Sequence, residues 1–188
     1  MNPIFAAALE IQAACRTRGW RFCFIGAIAV QRWGEPRLTQ DADLTLVTGF
    51  GGEETFVDPL LGAFEGRRPD ARDFALRYRV LLLQGSNGVP LDVSLGAMPF
   101  EERAVERSSA FDVGEGQSLQ TCSAEDLIVL KAFAGRDKDW LDIEGVALRQ
   151  AGRLRESLIW EELEPLLELK DSPETAVRLR GILDRARA

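Results

Sequence analysis

The chain contains no histidine. That absence excludes a Ser–His–Asp triad, Cys–His nucleophilic catalysis, HExxH zinc sites and any acid–base step through imidazole. Lysine is scarce: of 23 basic residues only Lys131, Lys138 and Lys170 are lysines. Cysteine is scarce as well. Cys15, Cys23 and Cys122 are odd in number, scattered and without a CxxC spacing, so they read as free, buried thiols. No apolar run approaches the ~20 residues that a membrane span needs. The first fifteen residues carry no Lys or Arg and place Glu10 inside their apolar stretch, which speaks against a secretory leader. The expectation is a cytoplasmic protein with no membrane partner.

What is present is ordinary for a globular domain. The 188 residues are 46% hydrophobic and 28% charged, enough to bury a core without disulfides. The net charge is −7, and it is uneven. Residues 1–95 carry 10 basic and 11 acidic groups, and residues 96–188 carry 13 and 19. Such a surface repels nucleic acid in general and argues against double-stranded DNA as a partner. If the chain is an enzyme, carboxylates, Lys and Arg must carry the chemistry.

Apolar spacing predicts a helix over residues 3–18, a strand over 21–25 ending at Gly26, and a helix over 27–33 stopped by Gly34 and Pro36. Alternation predicts a strand over 42–47, followed by a glycine-rich turn and a helix over 53–64. The apolar stretch 74–84 reads as one arm of a hairpin. Asn87-Gly88 is its turn and residues 89–95 its return strand. A helix over 99–108 and a short extended piece over 119–122 follow. Beyond Ser123, an N-cap followed by Glu125 and Asp126, the pattern is helical over 123–134, 137–150, 154–169 and 173–188. The organisation is an α/β core over 1–120 and a helical region over 121–188, expected to pack on that core.

The informative stretch is Phe22–Val47. Asp41 and Asp43 stand at i and i+2 at the start of a strand, so both side chains project from one face, ~6–7 Å apart. Two acids on one face of an apolar strand are unfavourable unless a positive charge compensates them, and a divalent cation is the natural compensator. Asp92, in Val89–Leu95, is a lone acid in another apolar strand. If the two strands are neighbours, three carboxylates converge. That is a ligand set for two Mg²⁺ ions ~3.5–4 Å apart, suited to in-line phosphoryl transfer. Gly26 ends a strand and opens a helix 15 residues before Asp41. A glycine there lets backbone N–H groups approach a phosphate, although it equally suits a plain strand-to-helix turn. The densest basic stretch (Arg67, Arg68, Arg72, Arg77 and Arg79) could line an RNA acceptor groove, but Asp70 and Asp73 interrupt it and it reads rather as a solvated face.

Gly26-Ala27, Asp41-Ala42-Asp43 and Asp92, in that order, resemble the nucleotidyltransferase superfamily typified by DNA polymerase β. The closer likeness is to AbiEii-type nucleotidyltransferase toxins. It rests on Arg37-Leu38-Thr39-Gln40-Asp41-Ala42-Asp43, Ser123-Ala124-Glu125-Asp126-Leu127, Lys131, Arg136-Asp137-Lys138-Asp139 and Asp142. It covers roughly residues 20–150.

The resemblance implies a small mixed sheet flanked by helices, with a C-terminal helical region. It implies Mg²⁺-dependent transfer of an NMP from an NTP to an acceptor such as a tRNA, a protein or a small molecule, within a toxin–antitoxin pair that includes an antitoxin protein. Asp41, Asp43 and Asp92 are then the metal ligands, with two Mg²⁺ ions, and the catalytic acids. Gly26, Ala27, Arg37, Thr39, Lys131, Lys138 and Asp142 are the nucleotide-binding residues. Ala27 departs from the family's Gly-[Gly/Ser] pair. That departure keeps open an alternative, a non-catalytic module binding a nucleotide or a partner protein. A small-molecule adenylyltransferase of the antibiotic-resistance kind shares the same three acids.

Overall fold

The structure, a computed structural model, describes residues 2–187. Its contacts divide the chain into two compact units. One holds the chain up to Ile28 together with Leu38–Cys122, and the other holds Ala29–Arg37 together with the chain from Ser123 onward.

The first unit is built on a seven-stranded mixed sheet. Its strands are β1 (Phe22–Phe24), β2 (Ala42–Val47), β3 (Glu65–Gly66), β4 (Val80–Gln84), β5 (Pro90–Gly96), β6 (Ser109–Gly114) and β7 (Gln117–Thr121). They lie in the order β3-β4-β5-β2-β1-β7-β6. β2 sits near the middle, antiparallel to β1 and parallel to β5. Ala42, Leu44 and Leu46 on β2 and Leu91, Val93 and Leu95 on β5 turn the alternate positions of both strands into the core.

Helix α1 (Pro3–Thr17) contributes Ala7, Ala8, Ile11 and Cys15 to that core. Asn2 caps it by accepting the Ile4 N–H at 2.9 Å, and Pro3 takes the first helical position. Gln12 is buried in the same helix. Its amide donates to the Ser118 carbonyl at 2.7 Å and accepts the Gln120 N–H at 2.9 Å, so both ends are satisfied by β7. The three cysteines are buried and none is in a disulfide.

The hairpin arm read over 74–84 is two elements. Helix α4 (Ala71–Tyr78) precedes β4, and Arg79 between them adopts a left-handed conformation with φ 58°. The stretch is rich in apolar residues on both sides of Arg79, so composition alone does not reveal the break. What holds Arg79 there is its guanidinium. It donates to the Leu95 and Gly49 carbonyls and pairs with Glu53. Glu53 accepts its own backbone N–H and the Arg79 hydrogen bond, and its carboxyl is lowered to about 2. Two strands have no counterpart in the sequence reading. β3 is two residues long, and β6 is a largely exposed edge strand without a continuous apolar face. Helices α3 (Glu54–Leu61) and α5 (Pro99–Glu106) complete this unit.

Helix α2 (Gly26–Trp33) starts in the first unit and ends in the second. The second unit is otherwise helical: α6 (Ala124–Ala134), α7 (Asp137–Arg149), α8 (Glu156–Lys170) and α9 (Pro173–Arg187). Ser123 caps α6 by accepting the Asp126 N–H at 3.0 Å. Gly135, at φ 69°, closes the helix. Residues 29–37 belong here because α7 holds them. Gly145 leaves room for the Glu35 backbone, the Gln150 amide donates to the Trp33 carbonyl at 2.9 Å, and Arg149 donates to the Gly34 carbonyl.

Among the described residues, no helix is long and apolar enough to cross a membrane.

Candidate active site

The sheet register places Asp43 of β2 directly beside Asp92 of β5. Parallel neighbours in register present their side chains on the same face, about 4.8 Å apart. Asp41 lies two residues before Asp43, just ahead of the strand. One carboxylate oxygen from each of the three lies within 4.8 Å of the others, and all three residues are half-buried. The burial alternation explains the placement. Ala42 and Leu44 point into the core, so the acids between them must take the opposite face.

Each acid is fixed by a different device. Thr39 Oγ1 donates to Asp41 Oδ1 at 2.8 Å. Asp43 is set against Gly26: a Cβ on Gly26 would overlap the Asp43 carboxylate, lying 2.8 Å from its Cγ. Gly26 also has φ 55°. Backbone conformation and close approach both require glycine there. The Ile25 N–H donates to the Asp43 carbonyl at 2.9 Å, which ties the strand before Gly26 to the acid beside it. Asp92 is paired with Arg67.

Burial pushes the Asp92 carboxyl above the ordinary aspartate value. The Arg67 charge opposes this, and the negative charge of Asp41 adds to it. Three carboxylates this close repel one another in their charged forms. The donor set is all oxygen, partly open to solvent and convergent, which fits a hard divalent cation such as Mg²⁺.

Ala27 follows Gly26 at the start of α2, and its side chain is buried at 4% exposure. Thr39 and Asp41 share a side-chain hydrogen bond, so Thr39 is in direct contact with the triad.

The other expected nucleotide residues lie in the second unit. Arg37 makes a two-point pair with Asp142, Nε to Oδ1 at 2.9 Å and Nη2 to Oδ2 at 3.1 Å. Lys131 Nζ is buried and donates to Asp142 Oδ2 at 2.6 Å and Asp139 Oδ1 at 3.0 Å. Arg136 Nε donates to Asp139 Oδ2 at 2.7 Å. Burial works against the charged forms of Asp139 and Asp142. Hydrogen bonds from Arg136 to Asp139, from Arg37 to Asp142 and from Lys131 to both outweigh it, so both carboxyls are lowered. Lys138 is exposed on α7.

Arg67 is the residue that sequence reasoning passed over. The stretch Arg67–Arg79 reads as a solvated face, and for most of it the structure agrees. Arg68 pairs with Asp70 and Arg72 with Asp58 in exposed pairs, whereas Arg79 is half-buried and anchors the α4–β4 junction through Glu53, Leu95 and Gly49. Arg67 differs because its backbone N–H donates to the Leu82 carbonyl at 3.0 Å, and Leu82 is the register partner of Asp92. No local motif encodes that row. It exists only once β3, β4 and β5 are paired.

No protein-family model matches the chain, and no curated protein matches it. Solved structures similar to it include the following two. One is an antigenic nucleotidyltransferase-like protein from Paracoccidioides brasiliensis, 15% identical, with 94% of this chain and 91% of that one covered and a TM-score of 0.53. The other is the antibiotic-resistance factor ANT(2'')-Ia, 20% identical, with 94% and 95% covered and a TM-score of 0.53. The three-acid row and Gly26 therefore sit on a nucleotidyltransferase fold.

Proposed function

We propose that the protein is a divalent-cation-dependent nucleotidyltransferase that moves an NMP from an NTP to an acceptor hydroxyl. The observation that carries this reading is the register of Asp43 with Asp92, with Asp41 brought within 4.8 Å of both. Three mutually repelling acids on one sheet face are unfavourable unless a cation joins them.

Asp41, Asp43 and Asp92 would hold the cation, with Mg²⁺ the expected ion and two ions the expected number. When bound, it would supply charge neutralisation to the triphosphate and acidify the acceptor hydroxyl. The residues do the rest. Thr39 keeps Asp41 turned to one orientation. Gly26 lets the Asp43 carboxylate lie against the start of α2. The free N–H groups of that helix end, with Gly26 and Ala27 first, favour an anionic phosphate. The acceptor oxygen attacks the α-phosphorus, its proton passes to a base, and the bond to the β-phosphate oxygen breaks to release pyrophosphate. Asp92 is the acid placed to accept that proton.

The nucleotide-binding roles of Arg37, Lys131, Lys138 and Asp142 rest on the sequence resemblance. So do the toxin-like role, the antitoxin partner and tRNA as acceptor.

The test does not require the acceptor. Thermal unfolding is recorded with each NTP, with and without Mg²⁺, for the wild type and Asp43→Asn. A ligand that binds only the folded protein raises Tm. The expected result is a Mg²⁺-dependent shift with at least one NTP that Asp43→Asn removes. No shift with any NTP overturns the reading and leaves the non-catalytic module.

A further inference from the structure

The row that crosses the sheet at the triad has a fourth member. Asp43 and Asp92 are register partners, Leu82 is the next partner across β4, and the Arg67 N–H bonds the Leu82 carbonyl. The sheet itself thus sets the base of Arg67 level with the acids. From there its guanidinium reaches Asp92, with both side chains about one-third exposed, at 28% and 32%. Neighbouring arginines of the same segment are committed to acids outside the triad, to Asp70, Asp58 and Glu53. Arg67 is therefore not one of a diffuse basic face. It is a monovalent cation placed by the fold on one ligand of a divalent-cation site.

The geometry points to a counter-ion role for Arg67. It occupies the Asp92 end of the triad, competes there with the divalent cation, and gives way when a nucleotide supplies phosphates for its guanidinium. Cation and nucleotide then load together, and the cation alone binds weakly. This inference rests on the triad being the cation site. Two facts make exchange feasible. The pair is solvent-accessible, and a guanidinium binds a phosphate in the same fork geometry as a carboxylate. A positive charge a few ångströms from a bound dication opposes it by enough to change affinity about tenfold.

The test is Mn²⁺ titration of the nucleotide-free protein, with free Mn²⁺ read by electron paramagnetic resonance. Arg67→Gln removes the charge and leaves the backbone bond to Leu82, and its urea unfolding is measured alongside. The expected result is Mn²⁺ affinity about tenfold higher in Arg67→Gln than in wild type, with Arg67→Lys staying near wild type. Saturating non-hydrolysable NTP analogue should close the gap to within about threefold. Equal affinities without nucleotide, or weaker binding by Arg67→Gln, overturn the counter-ion role. A gap that persists with the analogue overturns the nucleotide relief. Tight binding that survives in the double variant Arg67→Gln/Asp43→Asn places the cation elsewhere, and overturns the triad reading itself.

Discussion

Asp139 and Asp142 on α7 are almost inaccessible to solvent, yet Lys131, Arg37 and Arg136 of the same unit answer them with three positive charges. Asp41, Asp43 and Asp92 are half-buried on the sheet, and Arg67 is the cation that the fold sets against Asp92. The residue types are the same and the electrostatic outcomes differ. In the helical unit three cations face two acids inside the protein, and the carboxyls of Asp139 and Asp142 are lowered. On the sheet the carboxyl of Asp92 is raised. A buried acid cluster that neutralises itself is a structural joint. One whose carboxylate oxygens converge on one partly open face is a place for an external cation.

The strongest way to break that comparison is to remove one charge from each cluster. Lys131→Met removes the buried cation that bridges Asp139 and Asp142 and leaves each carboxylate with one arginine, Arg136 and Arg37. Breaking a buried ion pair from one side costs about 3–5 kcal/mol, and urea unfolding should show that loss. Asp43→Asn should do the reverse. It relieves repulsion, so stability should hold or rise, while nucleotidyl transfer falls about a thousandfold from the lost ligand. A mild Lys131→Met, or an Asp43→Asn that unfolds the protein, would erase the distinction between joint and site.

Acid sharpens the same contrast. Asp139 and Asp142 have folded values below the ordinary 3.8. A lowered carboxyl stabilises the fold above its unfolded value, and that contribution is lost as pH falls through the folded value. Unfolding free energy of the wild type should therefore drop as pH falls below about 4. Lys131→Met should flatten that slope, because the cation responsible for part of the lowering is gone. An unchanged slope in the variant would separate Lys131 from the acids it touches.

Gly26 and Gly19 offer a smaller, cleaner comparison. Both have positive φ, 55° and 67°. An alanine at Gly19 meets nothing within 4 Å, whereas at Gly26 it meets Asp43. Gly19→Ala should cost only the left-handed backbone penalty, about 1–2 kcal/mol. Gly26→Ala should cost that and also abolish the Mg²⁺-dependent nucleotide shift. Equal behaviour of the two variants in both stability and nucleotide response would mean that Gly26 serves the turn alone.

These contrasts also mark what the sequence makes legible. The strands carrying Asp43 and Asp92 are visible because polar and apolar residues alternate, and Gly26 because a strand turns into a helix there. The helices of the second unit are visible from caps and spacing. Arg79 is not, because its left-handed bend lies within an apolar-rich stretch and is held by contacts to Leu95, Gly49 and Glu53, distant in sequence. Arg67 is hidden for the same reason: its place depends on pairing across three strands. The split of basic partners between Asp142 and the triad is hidden as well. Arg37 stands four residues before Asp41 but turns to Asp142, 105 positions away. Short-range spacing shows which residues share a face. It does not show which charge a distant acid will claim.

The smallest effect is expected at Thr39. Its hydroxyl donates to Asp41 Oδ1 and holds that carboxylate without touching the other acids. Groups that orient a metal ligand typically contribute 10–100-fold in affinity or activity. Thr39→Val keeps the side-chain shape and deletes the donor, so Mn²⁺ affinity should fall about tenfold with little change in stability. Thr39→Ser restores the donor and should restore affinity. The rescue matters because the sheet cluster, unlike the helical one, is set apart by how its acids are aimed as well as by their charge. If Thr39→Val binds Mn²⁺ as tightly as wild type, Asp41 is held by the strand alone. The contrast between the clusters then reduces to their charge balance.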